Sequence, residues 1–147
     1  MTQVRVAEPA DAETIGRLLH DFNDEFGDST PGPAKVAARV RELLAAGVIT
    51  ALVADDGVAV LYLRPALWTE GLECYLAELY VAPARRGRGL GRALLDASIE
   101  LARENGADYM CLATSHDDVA ARALYESAGF SNRDQGSLKY FYERDLE

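Results

Sequence analysis

Apolar side chains recur along this chain at two spacings, and the switches between them mark its elements. Gln3 to Ala7 alternates as a short strand does, and Ile15, Leu18, Leu19, Phe22 and Phe26 then follow helical spacing behind Asp11, which suits a helix N-cap. A loop rich in turn formers, Gly27 to Pro33, leads to a second amphipathic stretch on Val36, Val40, Leu43 and Leu44, ended by Gly47. Ile49 to Ala54 and Val58 to Leu63 flank Asp55-Asp56-Gly57, a hairpin signal in which the glycine is expected to supply the positive φ of a tight turn. Leu72 to Val81 predicts a longer fourth strand stopped by Pro83, and Gly89 to Asn105 a third helix with Leu90, Leu94, Ala97 and Leu101 on one face. Tyr109 to Ala113 predicts a fifth strand. Asp117 or Asp118 then caps a helix running to Ala128, with Gly129 at its left-handed end. The tail, Phe130 to Arg133 and Leu138 to Arg144, reads as a final hairpin around Asp134 to Ser137.

Composition narrows the picture without changing it. The chain has 147 residues, 49% of them hydrophobic, with neither an internal repeat nor a linker, so one domain over residues 1–147 is expected. No stretch approaches the roughly 18 consecutive apolar residues of a membrane span, and Met1 to Ala10 lacks the basic-then-apolar pattern of a secretory leader. A cytoplasmic protein with no membrane partner is the expectation. Cys74 and Cys111 stand alone in apolar runs, with neither a Cys-x-x-Cys pair nor histidines at ligand spacing, which predicts buried reduced thiols and no metal. The formal net charge of -9 opposes a nucleic-acid partner and favours cationic ones.

Against that acidic background four arginines, Arg85, Arg86, Arg88 and Arg92, crowd one segment between the fourth strand and the third helix. Gly87, Gly89 and Gly91 are interleaved with them. Glycines let a backbone bend and approach a ligand, and the unpaired N–H groups of a first helical turn sit at the positive end of the helix dipole. A pyrophosphate meets both conditions, and arginines add charge-assisted hydrogen bonds. The bland alternative is a strand-to-helix turn that binds nothing. A P-loop is excluded because it needs Gly-Lys followed by Ser or Thr, and the only lysines are Lys35 and Lys139. A dinucleotide fingerprint starting at Gly87 fails at Arg92, where its third glycine should stand.

Arg86-Gly87-Arg88-Gly89-Leu90-Gly91 resembles the Arg/Gln-x-x-Gly-x-Gly/Ala signature of the GNAT family of N-acetyltransferases. Glu78-Leu79-Tyr80-Val81-Ala82-Pro83 before it is similar to that family's fourth strand. Ala121-Arg122-Ala123-Leu124-Tyr125-Glu126-Ser127-Ala128-Gly129-Phe130 downstream is similar to its Ala-x-x-Leu-Tyr-x-x-x-Gly-Phe. The residue-level likeness runs from about Leu72 to Phe130. It implies an α/β fold of three layers, α-β-α, around a mixed, mostly antiparallel twisted sheet of six to seven strands that splays between strands four and five, the acyl-CoA N-acyltransferase fold. One departure is Asp118, where the family often has Asn; a carboxylate can cap the helix but cannot donate to a cofactor.

The resemblance also implies a chemistry. Acetyl-CoA would be the acyl donor, its pyrophosphate on Arg86, Gly87, Arg88, Gly89, Leu90, Gly91 and Arg92, its pantetheine arm along the backbone of Leu79, Tyr80 and Val81, with Asp118 and Tyr125 beside it. The Val81 N–H, or one beside it, would stabilise charge on the thioester oxygen. Tyr125 would serve the departing thiolate as acid, and Glu78 the attacking amine as base, with Glu73, Tyr75 and His116 as competitors. From residue chemistry alone, Tyr125 is a packing residue and Glu78 a solvated or buried carboxylate. Strand alternation sets Glu78 on the opposite face from Leu79 and Val81 unless a bulge intervenes. Neither cysteine has an activating histidine, so direct transfer in a ternary complex is expected rather than an acyl-enzyme. The acceptor would be a small cationic amine drawn by Asp21, Asp24, Glu25, Asp28, Glu70 and Glu73, or a protein amine. Trp68, Tyr140, Phe141 and Tyr142 are read mainly as core, with an acceptor pocket or a dimer contact as alternatives. A non-catalytic CoA-binding module is the competing reading, and a homodimer is a family-level expectation.

Overall fold

A bidentate ion pair closes the first corner of the chain. Arg5 donates from Nη2 to Asp11 Oδ1 at 2.7 Å and from Nη1 to Oδ2 at 3.0 Å, and the Glu8 N–H adds a third hydrogen bond to the same carboxylate at 2.8 Å. With these donors the Asp11 carboxyl falls to about 2. The first strand, β1, is only Arg5–Val6, shorter than its alternation predicts. The structure, a computed structural model, describes residues 3–147; Met1 and Thr2, the start of the segment read for a leader, lie outside the described residues. None of its helices is long and apolar enough to cross a membrane among the described residues. The chain divides into two units, one ending at Met110 and the other Cys111–Glu147.

In the first unit α1 (Ala12–Glu25) and α2 (Pro33–Ala45) precede β2 (Thr50–Ala54), β3 (Gly57–Pro65) and β4 (Leu72–Val81); α3 (Leu90–Glu104) follows, and β5 (Ala107–Leu112) runs into the second unit. The sheet order is β1-β2-β3-β4-β5, with β1/β2, β2/β3 and β3/β4 antiparallel. Residues opposed across antiparallel strands point the same way, so Ala51, Val53, Val58, Val60 and Tyr80 share one face. That face packs on Ile15, Leu18 and Val40 of α1 and α2. Leu52, Ala59 and Leu61 alternate to the other face, where α3 buries Leu90, Leu94 and Leu95.

Two glycines matter sterically here. At Gly57 an added Cβ would meet Leu94 Cδ1 at 2.8 Å, so this glycine admits α3; the positive φ of the hairpin falls instead on Asp55, at 46°, which corrects the sequence expectation. At Gly16 an added Cβ would sit 2.6 Å from the backbone of Ala37, because α1 and α2 cross there in backbone contact. Overpacking of this kind costs about 1–3 kcal/mol, more than the roughly 1 kcal/mol that alanine gains over glycine in a helix. Gly16→Ala is therefore expected to lower the urea midpoint, although helix propensity alone would raise it.

The sheet contains five strands among the described residues, not the six to seven implied earlier. The second unit holds α4 (Val119–Ser127) and a hairpin reduced to β6 (Arg133–Asp134) and β7 (Ser137–Leu138), which form a separate two-stranded sheet. Its turn places Gln135 and Gly136 at φ of 50° and 83°, as a two-residue hairpin requires. The Ser131 Oγ accepts the Arg133 N–H at 3.0 Å, and the Lys139 N–H donates to Asn132 O at 2.7 Å, one backbone bond past the last ladder pair. Residues 139–147 carry no strand, and Tyr140, Phe141 and Tyr142 are 73%, 66% and 86% exposed. Trp68 is likewise 90% exposed, so none of these aromatics is a core residue.

Candidate active site

The segment between β4 and α3 begins with a single 3-10 turn, Pro83–Arg85, and then turns on Gly87 and Gly89 at φ of 79° and 80°. Gly89 is the left-handed N-cap of α3, and buried Leu90 anchors the first helical turn. The first helical hydrogen bond is donated by Ala93 to Gly89 O. Among the described residues no hydrogen bond is donated by the main-chain N–H of Gly87, Arg88, Gly89, Leu90 or Gly91. A Cβ added at Gly87 or Gly89 would meet nothing within 4 Å. Five consecutive amides thus stand unpaired around open space at a helix N-terminus, which is the arrangement that binds anions.

The four arginines divide. Arg85 lies 3.4 Å from Asp56, and Arg92 pairs with Asp96 one turn along α3 at 3.2 Å. Arg86 turns back: Nε donates to Val81 O at 3.0 Å, Nη2 donates to Glu25 Oε1 at 2.9 Å, and the guanidinium lies 5.7 Å from the centroid of the Tyr80 ring. Arg88 has no acidic partner among the described residues. Pairing across 61 residues leaves no local signal, and the role of Glu25 in holding Arg86 was not legible in the sequence.

At the end of β4, Leu79 opposes Ala59 and Val81 opposes Gly57, while Tyr80 is buried against α1, its ring stacked on Phe22 at 4.8 Å. Burial, and then the hydrogen bond to Glu25, raise the Tyr80 phenol above its usual value. The register shifts between Val60 and Leu61: Val60 opposes Glu78 but Leu61 opposes Leu76, which leaves Ala77 as an extra residue. This bulge reverses the parity of β4. Beyond it, Glu73 and Tyr75 oppose Arg64 and Tyr62, on the same face as Val60; before it, Glu78 and Tyr80 hold that face. Glu78 therefore shares the α1/α2 face with Glu73, Tyr75 and Tyr62, whereas uninterrupted alternation would have opposed it to Tyr75.

On that face the competing groups are occupied. Glu73 is paired with Arg64 at 3.0 Å, and Tyr75 stacks on Tyr62 at 6.4 Å. The Glu78 carboxyl has neither a hydrogen bond nor an ion pair among the described residues, and burial alone raises it above the usual range. Of the acidic residues read for an acceptor, Asp21 lies 3.8 Å from Arg17 and Glu25 holds Arg86.

In the second unit Asp118 caps α4 by accepting the Ala121 N–H at 3.1 Å. Tyr125 lies on the same helix with its ring edge-on to Phe130. Burial, and then the Asp118 charge, push the Tyr125 phenol up to about 12. Its hydroxyl has no hydrogen-bond partner among the described residues. His116 is engaged locally, its carbonyl accepting from Arg122 Nη1 at 3.1 Å. Cys74 is buried and Cys111 half-buried.

Known proteins are similar to this chain. The chain is 42% identical to a candidate acetyltransferase of solved structure from Arthrobacter sp. FB24, with a TM-score of 0.90 over 99% of this chain and 97% of that one. It is 28% identical over 142 residues, 93% of this chain and 94% of the relative, to YhfO of Bacillus subtilis (strain 168), described as an uncharacterized N-acetyltransferase. It is 39% identical over 83 residues to mycothiol acetyltransferase of Beutenbergia cavernae, of whose length the match covers 27%. The family model described as Acetyltransferase (GNAT) family matches residues 15–130, which contain both the amide loop and α4. With that match over most of its length, and a mixed sheet flanked by helices in the acyl-CoA N-acyltransferase fold, the chain belongs to the GNAT acetyltransferase family.

Proposed function

We propose that this protein is one domain that transfers an acetyl group from acetyl-CoA to a primary amine by direct attack in a ternary complex, the acceptor being a small cationic amine. The observation that carries the reading is the run of five unpaired amides from Gly87 to Gly91 at the N-terminus of α3. These amides would hold the pyrophosphate, with Arg88 and Arg92 adding charge, and the main chain of Leu79, Tyr80 and Val81 would align the pantetheine arm. The donor supplies an activated thioester carbonyl. An N–H at Val81 would stabilise the charge that develops on its oxygen.

Glu78 is the base in this reading. An alkyl ammonium with a pKa of about 10.4 must lose a proton before it attacks, and a carboxyl raised by burial accepts that proton more readily than an ordinary glutamate. Tyr125 serves the departing sulfur. A phenol near 12 stays protonated throughout the working range, while a thiol ionises near 8.5. Full proton transfer from such a phenol to the thiolate runs uphill, so Tyr125 acts as a hydrogen-bond donor to sulfur and the thiol takes its proton later, from solvent. Asp118 orients α4 by capping it.

The test mixes protein and acetyl-CoA with a panel of polyamines, amino sugars and amino acid amides and follows free thiol. Thiol release that depends on one class of amine supports the reading. CoA binding without turnover on any amine selects the non-catalytic module instead, and no CoA binding ends both. Arg88→Ala is expected to weaken CoA about tenfold by calorimetry, the scale of one charge-assisted hydrogen bond.

A further inference from the structure

We propose that Glu25 and Arg86 form a latch in which the acetyl-CoA pyrophosphate competes with the Glu25 carboxylate for the Arg86 guanidinium, so that donor binding frees Glu25 toward the acceptor face. The inference rests on the proposed donor site. Its geometry is independent of that reading. Glu25 is the last residue of α1, directly before the loop that leads to α2, and Arg86 is the first residue of the amide loop's motif. Glu25 Oε1 accepts from both Arg86 Nη2, at 2.9 Å, and the Tyr80 hydroxyl, at 3.1 Å. The Glu25 side chain is 29% exposed and that of Arg86 45%.

Tyr80 decides which face the carboxylate serves. It lies two residues beyond Glu78 on the α1/α2 face, held there by Phe22, so the carboxylate that its hydroxyl contacts lies on the side of the sheet where Glu78 stands. The latch therefore joins the donor loop to the face that carries the base.

Arg86 holds two acceptors at once, Val81 O and Glu25, and its neighbours in sequence are the unpaired amides. A pyrophosphate on those amides brings two negative charges beside the guanidinium and offers it bidentate partners, whereas Glu25 engages only one of its nitrogens. Once Arg86 turns to the phosphates, Glu25 keeps only the Tyr80 hydroxyl and carries an uncompensated charge. An ammonium-bearing acceptor is the partner that neutralises it. Donor binding thus raises affinity for a cationic acceptor, and by linkage the acceptor raises affinity for the donor.

The latch gives Glu25 a signature that a scaffolding role lacks. Breaking the pair costs donor affinity in the wild type, so Glu25→Gln is expected to bind CoA about two- to fivefold more tightly, the span that a partly exposed ion pair allows. Removing any negative charge near a phosphate site also tightens binding through the general field. Asp24→Asn, at a neighbouring acidic residue with no ion pair among the described residues, measures that background. Calorimetry with CoA on the full chain compares wild type, Glu25→Gln and Asp24→Asn at fixed ionic strength. Tighter binding in Glu25→Gln than in Asp24→Asn supports the latch, and the difference should vanish in an Arg86→Gln background. Equal or weaker binding in Glu25→Gln overturns it while leaving the acetyltransferase reading intact. A wild-type protein that binds no CoA overturns both.

Discussion

Replacing Tyr125 by phenylalanine is expected to lower kcat for thiol release by about 10²-fold while leaving the CoA dissociation constant within about twofold, the pattern of a donor whose bond matters only as charge builds on the leaving group. The hydroxyl has no partner among the described residues, so its loss breaks no existing hydrogen bond, and thermal stability should stay close to wild type. A phenol held near 12 contributes no ionisation of its own below about pH 10, so wild type and variant should share one pH profile at different heights. If the profile instead loses an alkaline limb in the variant, Tyr125 is transferring its proton outright. If kcat is unchanged, Tyr125 is a packing residue and the sulfur is served by another group.

Glu78→Gln should move activity and stability in opposite directions. With Glu78 as the proposed base, the substitution is expected to cut kcat/KM about 10²-fold at neutral pH, the lower end of general-base catalysis, and to remove an acidic limb expected of wild type as pH falls through the raised Glu78 value. Stability follows from the same shift. The folded state binds the Glu78 proton more tightly than the unfolded chain, so the contribution of this residue to stability is complete at low pH and is lost as pH rises through its folded value. A neutral glutamine escapes that loss. The variant should therefore have the higher urea midpoint at pH 7, with the gap closing towards about pH 4. A lower midpoint at both pH values would mean that the carboxylate has a stabilising partner and is no free base.

The legibility of this protein in its sequence follows the range of the interactions involved. The amide loop was readable because its cause is local: Gly87 and Gly89 take left-handed conformations, Leu90 anchors a helix, and the next amides have nothing upstream to bond. The Asp118 cap and the third helix were readable for the same reason. Hairpin chemistry was half readable. Asp55-Asp56-Gly57 does turn the chain, but Asp55 takes the positive φ, and Gly57 answers to Leu94 thirty-seven residues away, on α3. The tail was misread because alternation states only that a segment can be a strand; β7 ends at Leu138, and past the bond from Lys139 N–H to Asn132 O no backbone pairing among the described residues carries the pattern onward.

By itself the sequence located the helices and the first five strands to within a few residues, the glycine-rich loop at the start of α3, and the family to which the chain is similar, since all of these depend on spacings of a few residues. Only the tertiary structure decided on which face of β4 Glu78 stands and what Arg86 holds. A single extra residue at Ala77, opposite the Val60/Leu61 step, reverses a strand's parity, and Glu25 reaches Arg86 across 61 residues. Long-range register and pairing are settled by what packs on both sides of the sheet, and no local spacing carries that information.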